Sequence, residues 1–224
     1  MLIQKIHVGP LQVCCYIIVD KGSSEAMIID PGAEATTIIT FLKKRHLLPK
    51  IIAITHGHGD HIGANAEMKE AFPDIQICVH EEDQDMLPYP AKNLSILAAF
   101  YGGTTVRSPM ADRLLKDGDT LTIGRHSFEI IHTPGHTPGG ICLYSKNQED
   151  ENPPVLFSGD SLFKEGIGRT DFPGCNQEVL IRSIKERLFV LEEKTIVYPG
   201  HGPSTTIAEE KRNNPFVTEV TLHG

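Results

Sequence analysis

The stretch Thr55-His56-Gly57-His58-Gly59-Asp60-His61 decides the fold and the chemistry that this sequence predicts. It places three imidazoles and one carboxylate within six residues. With 11 histidines in 224 residues, a chance match to this spacing is expected on the order of once per thousand chains of this composition. Imidazole nitrogen and carboxylate oxygen are ligands that suit zinc, iron and manganese. Such ions turn a bound water into a nucleophile near neutral pH, so the stretch predicts a metal site.

Apolar segments on both sides of this stretch predict strands that alternate with helices. The predicted strands are 2–8, 13–19, 26–29, 51–54, 75–79, 119–123, 126–132, 140–145, 155–158 and 195–198. The predicted helices are 33–46, 62–71, 176–191 and 209–213, with further helical segments at 81–87 and 91–101; the packing of 81–118 stays unassigned. This order indicates an α/β (α+β) protein with two mixed sheets face to face and helices outside. No Gly/Ser/Pro linker divides the halves, so a single domain, 1–224, is predicted.

Composition narrows the classes of partner and the compartment. The formal net charge of −8, without a Lys/Arg cluster, argues against a nucleic-acid partner. Residues 1–10 lack a basic segment followed by a long apolar run, and no apolar run reaches transmembrane length, so neither a secretory signal nor a membrane partner is expected. The five cysteines lack CxxC spacing and predict free thiols in a reducing compartment. We therefore expect a cytoplasmic enzyme. The sequence makes no prediction of its oligomeric state.

Four further turns share one format, in which a polar residue follows a buried strand. They are Ile29-Asp30-Pro31-Gly32, His132-Thr133-Pro134-Gly135-His136-Thr137, Ser158-Gly159-Asp160-Ser161 and Tyr198-Pro199-Gly200-His201-Gly202. Rigid strands that end on one rim can direct several side chains to one point, as an enzyme site requires. The neighbouring glycines permit tight turns and a close approach of backbones. We expect these turns to lie around the His56–His61 stretch.

The order of these polar residues resembles a known family. His56-x-His58-x-Asp60-His61, followed by His136, Asp160 and His201, is similar to the metallo-β-lactamase superfamily, whose fold is a four-layer αββα sandwich. The resemblance runs from Asp30 to residues 203–207 and is closest to short, single-domain members of the glyoxalase II (hydroxyacylglutathione hydrolase) branch. The segments 159–163 and 168–172 are typical of that branch.

The resemblance implies two divalent metal ions and assigns their ligands. His56, His58 and His136 would hold the first ion, Asp60, His61 and His201 the second, and Asp160 would bridge both. It further implies that Asp60 and Asp160 are catalytic, together with a hydroxide shared by the ions that attacks a carbonyl carbon. Zinc is the expected metal, although these ligands also accept iron or manganese.

Three residues near the motif have two interpretations each. By resemblance, Asp30 would brace the His56–His61 loop, while an Asx-type turn before Pro31 is compatible with that role. Arg169 lies where this family often places a basic residue near glutathione, which implies that it binds a substrate carboxylate. A structural pairing with Asp171 or a nearby carbonyl is the alternative. The sequence leaves the role of Cys175 open; a small apolar residue without a functional role is one interpretation.

Glyoxalase II enzymes cleave the thioester of S-hydroxyacylglutathione to a hydroxy acid and glutathione, so a small-molecule thioester is the predicted partner. Two-domain members add a C-terminal helical domain that helps to hold the glutathione, and we expect none here because the chain ends soon after His201. The identity of the thiol carrier, glutathione or another thiol, is left open by the sequence.

Four alternatives remain. An iron-dependent persulfide dioxygenase on the same scaffold would use His56, His136 and Asp160 as its iron ligands. A hydrolase of another thioester or ester would use the same two metals. A non-catalytic metal-binding protein is disfavoured because no ligand of the pattern is missing, and a serine hydrolase because no Gly-x-Ser-x-Gly elbow occurs. The complete second set of ligands favours hydrolysis over the dioxygenase.

Overall fold

Two mixed β-sheets form the centre of the protein in a computed structural model that describes residues 1–100, 104–146 and 153–218. The first sheet pairs, in order, β1 (Leu2–Val8), β2 (Val13–Val19), β3 (Glu25–Ile29), β4 (Leu48–Ala53), β5 (Gln76–His80) and β6 (Arg113–Leu115). The second sheet has the order β14 (Thr205–Thr206), β13 (Ile196–Pro199), β10 (Val155–Gly159), β9 (Ile141–Ser145), β8 (His126–His132) and β7 (Thr120–Ile123). A small hairpin joins β11 (Leu162–Phe163) to β12 (Gly166–Ile167).

The helices cover the outer faces of the two sheets. They are α1 (Ala35–Lys44), α2 (Gly59–Ile62), α3 (Asn65–Ala71), α4 (Ser95–Phe100), α5 (Gln177–Ser183) and α6 (Ile207–Asn213). A 3₁₀ helix spans Glu81–Met86, and a π-helical turn, Ile184–Leu188, continues α5. No helix in the described part of the chain is long and apolar enough to span a bilayer.

Strand β2 explains why the layers form. All seven of its residues are buried, because one face packs on helices and the other on the second sheet. Ile17 belongs to the core that includes residues of α1 and α3, whereas its neighbour Ile18 belongs to the core between the two sheets. A third core joins the second sheet to α5 and α6 through residues such as Leu180 and Ile207. The predicted four-layer αββα architecture is confirmed.

Several predicted helices differ in detail from those observed. The helix predicted over 62–71 is divided into α2 and α3, because the Ala64 amide donates to the Pro31 carbonyl (2.9 Å) instead of to a carbonyl within a helix. The helix predicted over 91–101 is observed only as α4; residue 101 lies outside the described residues. The helix predicted over 176–191 begins after Asn176, whose side chain accepts a hydrogen bond from Val179 N (3.1 Å).

The ends of the strands determine where functional side chains can meet. In the first sheet β3, β4 and β5 run parallel, and in the second β10 runs parallel to β13, so within each set the carboxyl ends share one edge. The loops after β3, β4, β8, β10 and β13 are those whose polar residues the sequence analysis selected. Backbone contacts connect the two sheets at this edge, since Cys14 N donates to Gly200 O (2.7 Å) and Ile141 N donates to Thr55 O (2.9 Å).

Candidate metal centre

Seven side chains meet where these strands end, in three overlapping groups. The groups are His56, His58 and His136; His56, His61 and Asp160; and Asp60, His61 and His201. Within each group, one potential ligand atom per residue lies within 4.8 Å of the others. The structure therefore brings together all seven side chains that the sequence analysis selected as ligands, and Asp160 lies in the group that connects the other two.

The distances between these atoms match the spacing of ligands around an ion. With metal–ligand bonds of about 2.1 Å, tetrahedral ligands lie about 3.4 Å from one another. The Nε2 atoms of His56 and His136 are 3.2 Å apart, and those of His61 and His201 are 3.4 Å apart. Asp160 Oδ2 lies 3.6 Å from Nε2 of both His136 and His201, while its Oδ1 lies 3.6 Å from Nε2 of His61. The Asp160 carboxylate thus reaches both histidine groups.

Hydrogen bonds on the outer ring nitrogens determine which way the imidazole lone pairs point. His136 Nδ1 lies 2.8 Å from the carbonyl oxygen of Arg169, and His201 Nδ1 lies 3.0 Å from that of Leu11. A carbonyl can only accept, so in both rings Nδ1 donates and Nε2 carries the lone pair. We infer these tautomers from the acceptors. The inward Nε2 atoms are therefore acceptors that face one another, an arrangement that a cation stabilises.

Asp30 orients the rings of His61 and His56 in the same way. Its Oδ2 accepts from His61 Nδ1 (2.9 Å) and from Thr55 Oγ1 (2.6 Å), and its Oδ1 accepts from Thr55 N (2.8 Å). Because the Thr55 hydroxyl hydrogen is directed to Asp30, Thr55 Oγ1 accepts from His56 Nδ1 (3.2 Å). The Nε2 atom of His56 then also carries a lone pair, and that of His61 does so in the neutral ring that binding of a metal ion requires. Asp30 is buried and contacts the loop that it was predicted to brace.

The electrostatics of the two groups differ. Burial disfavours the charged form of His61, yet the carboxylates of Asp160, Asp60 and Asp30 outweigh it and raise its pKa to about 10. Burial, reinforced by the charge of His136, lowers the pKa of His58 to about 3. The pKa of Asp60 is lowered although burial acts to raise it, because His61 and His201 favour its charged form. The group around His61 is therefore anionic and attracts a cation, while His58 is neutral and free to act as a ligand.

The Asp160 carboxylate gives an independent test of whether a cation fits. Its Oδ1 atom is buried, and no hydrogen-bond donor in the described part of the chain reaches it. A buried carboxylate oxygen without a donor is costly unless a positive charge compensates it. The donor set, its spacing and this unpartnered oxygen all fit divalent cations.

Gly200 shows how closely the backbones approach this centre. A Cβ atom at this position would collide with Asp160 Oδ1 and would lie 2.9 Å from Cε1 of His61. Only glycine leaves room for Asp160 to lie between the two groups. The sequence analysis expected glycines beside the polar residues to permit a close approach of backbones, and Gly200 is an example.

The sequence analysis missed Asp83, which holds two of the ligand loops together. It lies in the 3₁₀ helix after β5 and is fully buried. Its Oδ2 accepts from Gly57 N (2.9 Å) and Thr137 Oγ1 (2.7 Å), and its Oδ1 accepts from Gly139 N (2.7 Å). Gly57 lies between His56 and His58, and Thr137 follows His136. The one signal in the sequence is that Asp83 follows a parallel strand, as Asp30 does.

Arg169 adopts the structural pairing that the sequence analysis left as an alternative. Its guanidinium forms two hydrogen bonds with Asp171, at 2.8 and 2.7 Å, and lies over the ring of Phe172 at 4.0 Å from the centroid. The Asp171 and Arg169 side chains are both exposed. Its backbone carbonyl is what contacts the centre, through His136. A role of the guanidinium in substrate binding stays a prediction.

Two cavities border the centre and share no lining residue. We call the first the histidine-side cavity, of about 390 Å³, whose lining includes His58, His136, Lys92, Asp85 and Cys175. The second, the Asp60-side cavity, has a volume of about 560 Å³ and borders the centre at Gly59 and Asp60. Cys175 donates its thiol to the His136 carbonyl (2.9 Å), so it contacts the ligand loop as well as the cavity. Each cavity gives a substrate access to one side of the ligand set.

Comparison with known proteins identifies a family and close relatives. The family model described as "Metallo-beta-lactamase superfamily" matches residues 8–201. A "Probable metallo-hydrolase YqgX" of Bacillus subtilis is 37% identical over 98% of this chain and 99% of its own length. "Hydroxyacylglutathione hydrolase GloC" of Haemophilus influenzae is 38% identical over 97% of this chain and 98% of its own.

Solved structures with the same architecture cover nearly the whole chain. The crystal structure of BLEG-1 B3 metallo-beta-lactamase has a TM-score of 0.88 and 40% identity, and covers 97% of this chain and 100% of its own. TTHA1623 in a di-iron-bound form has a TM-score of 0.81 and 35% identity, over 95% and 99%. ETHE1 from Myxococcus xanthus has a TM-score of 0.77 and 27% identity, over 96% and 84%.

Proposed function

The chain belongs to the metallo-beta-lactamase superfamily, and from this membership we propose that it is a dinuclear metallo-hydrolase that cleaves a glutathione-type thioester. The products would be a hydroxy acid and the free thiol. The observation that carries the proposal is the complete second ligand group, Asp60, His61 and His201, connected to the first group by Asp160. A protein that needs one metal does not require this second group.

The residues have distinct roles in the proposed reaction. His56, His58 and His136 would hold one ion, and Asp60, His61 and His201 the other, with Asp160 shared between them. Two bound divalent ions would supply a hydroxide nucleophile near neutral pH and polarise the substrate carbonyl. Asp60 lines the larger cavity as well as the centre, so its carboxylate lies where it can orient the substrate and take up a proton.

The surrounding residues hold the ligands in place before a substrate binds. Asp30 and the carbonyls of Leu11 and Arg169 accept from the outer nitrogens of three histidines, which keeps the inward nitrogens available. Asp83 keeps the loops of the three-histidine group together. Such fixed ligands reduce the reorganisation that a reaction would otherwise require.

We propose zinc as the metal, with iron or manganese accepted by the same oxygen and nitrogen ligands. The relative TTHA1623, whose crystal form is di-iron-bound, supports iron as a realistic occupant. Metal identity in such sites depends on geometry and availability more than on affinity alone. Metal analysis of the protein as purified decides among the three.

The context of the enzyme also belongs to this proposal. The five cysteines are free thiols, as expected for a protein of the reducing cytoplasm. We propose that the chain acts as a single catalytic domain on a small-molecule thioester, without a nucleic acid or a membrane as partner.

Three other substrates are alternatives that the experiment below must distinguish. A persulfide is the first, for the iron-dependent persulfide dioxygenase that the sequence analysis left as an alternative and that would use His56, His136 and Asp160. BLEG-1 adds a β-lactam, because it is a B3 metallo-beta-lactamase at 40% identity. A thioester or ester of another carrier is the third. The GloC relative favours the glutathione thioester.

Metal counting combined with parallel assays tests the proposal. The purified protein is loaded with zinc or iron, its metal content is measured, and the loss of thioester absorbance is followed with S-lactoylglutathione. We expect two ions per chain and thioester hydrolysis. Sulfite formation from glutathione persulfide and oxygen, with one iron per chain, would contradict it, as would turnover of a β-lactam alone.

A further inference from the structure

The Asp60-side cavity carries negative charge beside the candidate metal centre. Its lining includes three carboxylates, those of Glu34, Asp60 and Glu67, but among the described residues that line it there is no Lys, Arg or His. Away from Asp60, which the proposed metal ions would neutralise, a carboxylate placed in this cavity would meet the like charges of Glu34 and Glu67 and no cationic side chain of the lining. The cavity therefore disfavours the charged ends of a glutathione-like carrier.

The walls of the same cavity are apolar and small. Val8, Leu11 and Val106 line it together with alanines such as Ala35. Leu11 is 63% exposed, so part of this apolar lining is open to solvent. An exposed apolar side chain beside a cavity with apolar walls favours the binding of an apolar group.

We infer that the Asp60-side cavity is the acyl subsite and that it selects an uncharged, apolar acyl group larger than lactoyl. This inference rests on the proposed thioester hydrolysis. Hydrolysis adds the oxygen of one water to the acyl carbon and breaks the bond from that carbon to sulfur. The thiol leaves with one proton of the water, and the acid releases the other. The thiol carrier then occupies the histidine-side cavity, whose lining includes Lys92, paired in this structure with Asp85 at 2.8 Å.

The size of the cavity leads to a measurable preference. A lactoyl group leaves most of about 560 Å³ empty. Burial of one further methylene favours binding by up to about fourfold, the equivalent of about 0.8 kcal/mol. We therefore expect kcat/KM to rise about two- to fourfold for each methylene from acetyl to octanoyl thioesters.

An acyl series with two matched variants tests the size preference. The metal-loaded protein is assayed with the acetyl, butanoyl, hexanoyl and octanoyl thioesters of glutathione. Ala35→Leu adds volume inside the cavity and should lower kcat/KM for octanoyl about tenfold more than it lowers kcat/KM for acetyl. Ala66→Leu adds the same volume at an exposed position of α3 outside the cavity and should change neither. A flat or falling series would overturn the inference.

A charge swap tests the exclusion of anions. Pentanoyl and glutaryl thioesters have acyl chains of equal length, and glutaryl carries an additional carboxylate. We expect the protein to prefer pentanoyl at least about tenfold, and Glu67→Lys, at an exposed position on the rim, to reduce this preference about tenfold. Equal turnover of the two thioesters, or a preference that Glu67→Lys leaves unchanged, would contradict the assignment.

Binding without turnover separates this inference from the proposed function. Octanoate and acetate are titrated into the metal-loaded protein by calorimetry, and octanoate should bind at least about tenfold more tightly, a difference that Ala35→Leu removes. If this holds but no thioester is hydrolysed, the proposed function fails and the cavity assignment stands. If lactoylglutathione is hydrolysed but octanoate binds no better than acetate, the cavity assignment fails.

Discussion

Asp160 differs from the other six candidate ligands because its carboxylate reaches both histidine groups: Oδ2 lies 3.6 Å from Nε2 of both His136 and His201, and Oδ1 lies 3.6 Å from Nε2 of His61. Loss of a residue that only supports a ligand costs about 10- to 100-fold in metal affinity or activity. We expect Asp160→Ala to cost more than about a hundredfold in turnover and to lower the metal content at both groups. The measurement is metal per chain by mass spectrometry, with thioester hydrolysis on the same samples. Asp74→Ala, at an exposed position, is the control; near-normal metal content in Asp160→Ala would contradict its shared role.

Gly200 permits Asp160 to occupy its position, so a methyl group there should displace the carboxylate. The Cβ of Gly200→Ala would collide with Asp160 Oδ1, whereas a Cβ at Gly166 would lie 3.6 Å from Phe163 Cβ, an ordinary contact. We expect Gly200→Ala to lower metal affinity about tenfold or more, and Gly166→Ala to leave it unchanged. Titration of the metal-free proteins with zinc compares them. Equal affinity in both variants would show that the loop yields without disturbing Asp160.

Arg169 allows its side chain and its backbone to be tested separately. Since His136 contacts the carbonyl of Arg169 and not its guanidinium, Arg169→Ala should keep the full metal content. If the guanidinium leaves Asp171 to bind a substrate carboxylate, the variant should raise KM more than it lowers kcat, by about tenfold. Asp171→Ala frees the guanidinium and serves as the partner variant. An unchanged KM in Arg169→Ala would remove the substrate role.

The sequence predicted the ligands of the centre better than it predicted the residues that support them. The seven ligands match the motif of a known family in their spacing, and each lies just beyond a strand. Asp83 also follows a strand, but it lies in the segment Glu81-Glu82-Asp83-Gln84-Asp85, whose several carboxylates give no sign in the sequence of which one is buried. Only its burial and its three donors distinguish it. The sequence also left the partner of Arg169 open, because it is compatible both with pairing to Asp171 and with binding a substrate carboxylate.

At the level of helices and strands, long apolar segments were predicted well and short ones were missed. Strands β1, β2 and β8 have the predicted bounds, because each has seven residues, enough for an apolar or alternating pattern to show in the sequence. Strands β6, β11, β12 and β14 have two or three residues each, too few for such a pattern. The division between α2 and α3 likewise depends on the Pro31 carbonyl, which is remote in sequence.

Two buried carboxylates each support a different set of loops, which permits a matched comparison. Asp83 connects the loops of the three-histidine group, and Asp30 connects Thr55 with His61. An Asn has one acceptor oxygen, so Asp83→Asn leaves a buried donor without a partner at a cost of about 1–3 kcal/mol. We expect Asp83→Asn to weaken the first ion about 10- to 100-fold, and Asp30→Asn to weaken the second by a similar factor.

Stepwise metal titration distinguishes the two groups in these variants. Cobalt is added to the metal-free proteins, and the two binding steps are followed by their spectra and by metal content. The variants should lose different steps. Loss of the same step in both, or of neither, would mean that the carboxylates do not act on separate groups. Unfolding temperatures of the metal-free variants control for a general loss of stability.

At the level of the whole molecule, the centre joins the two sheets. Four of the seven ligands lie in one loop after β4 of the first sheet, and the other three follow β8, β10 and β13 of the second. Any ion held by both sets therefore binds the folded chain and not the unfolded one, and it stabilises the fold by linkage. Contacts between protein groups already cross this edge, including the Tyr16 hydroxyl that donates to the Pro199 carbonyl (2.8 Å). The metal-free protein should consequently remain folded but unfold at a lower temperature.

Chelation measures this contribution. At a free metal concentration about a hundred times the Kd, binding adds about 2.7 kcal/mol to the free energy of unfolding. For a chain of this size, 1 kcal/mol corresponds to about 2–4 °C in Tm, so a chelator should lower Tm by about 5–10 °C. Asp160→Ala should show a much smaller change, because it has less metal to lose. Equal Tm values for the loaded and chelated protein would mean that no ion connects the two sheets, and the proposed two-metal centre would then be wrong.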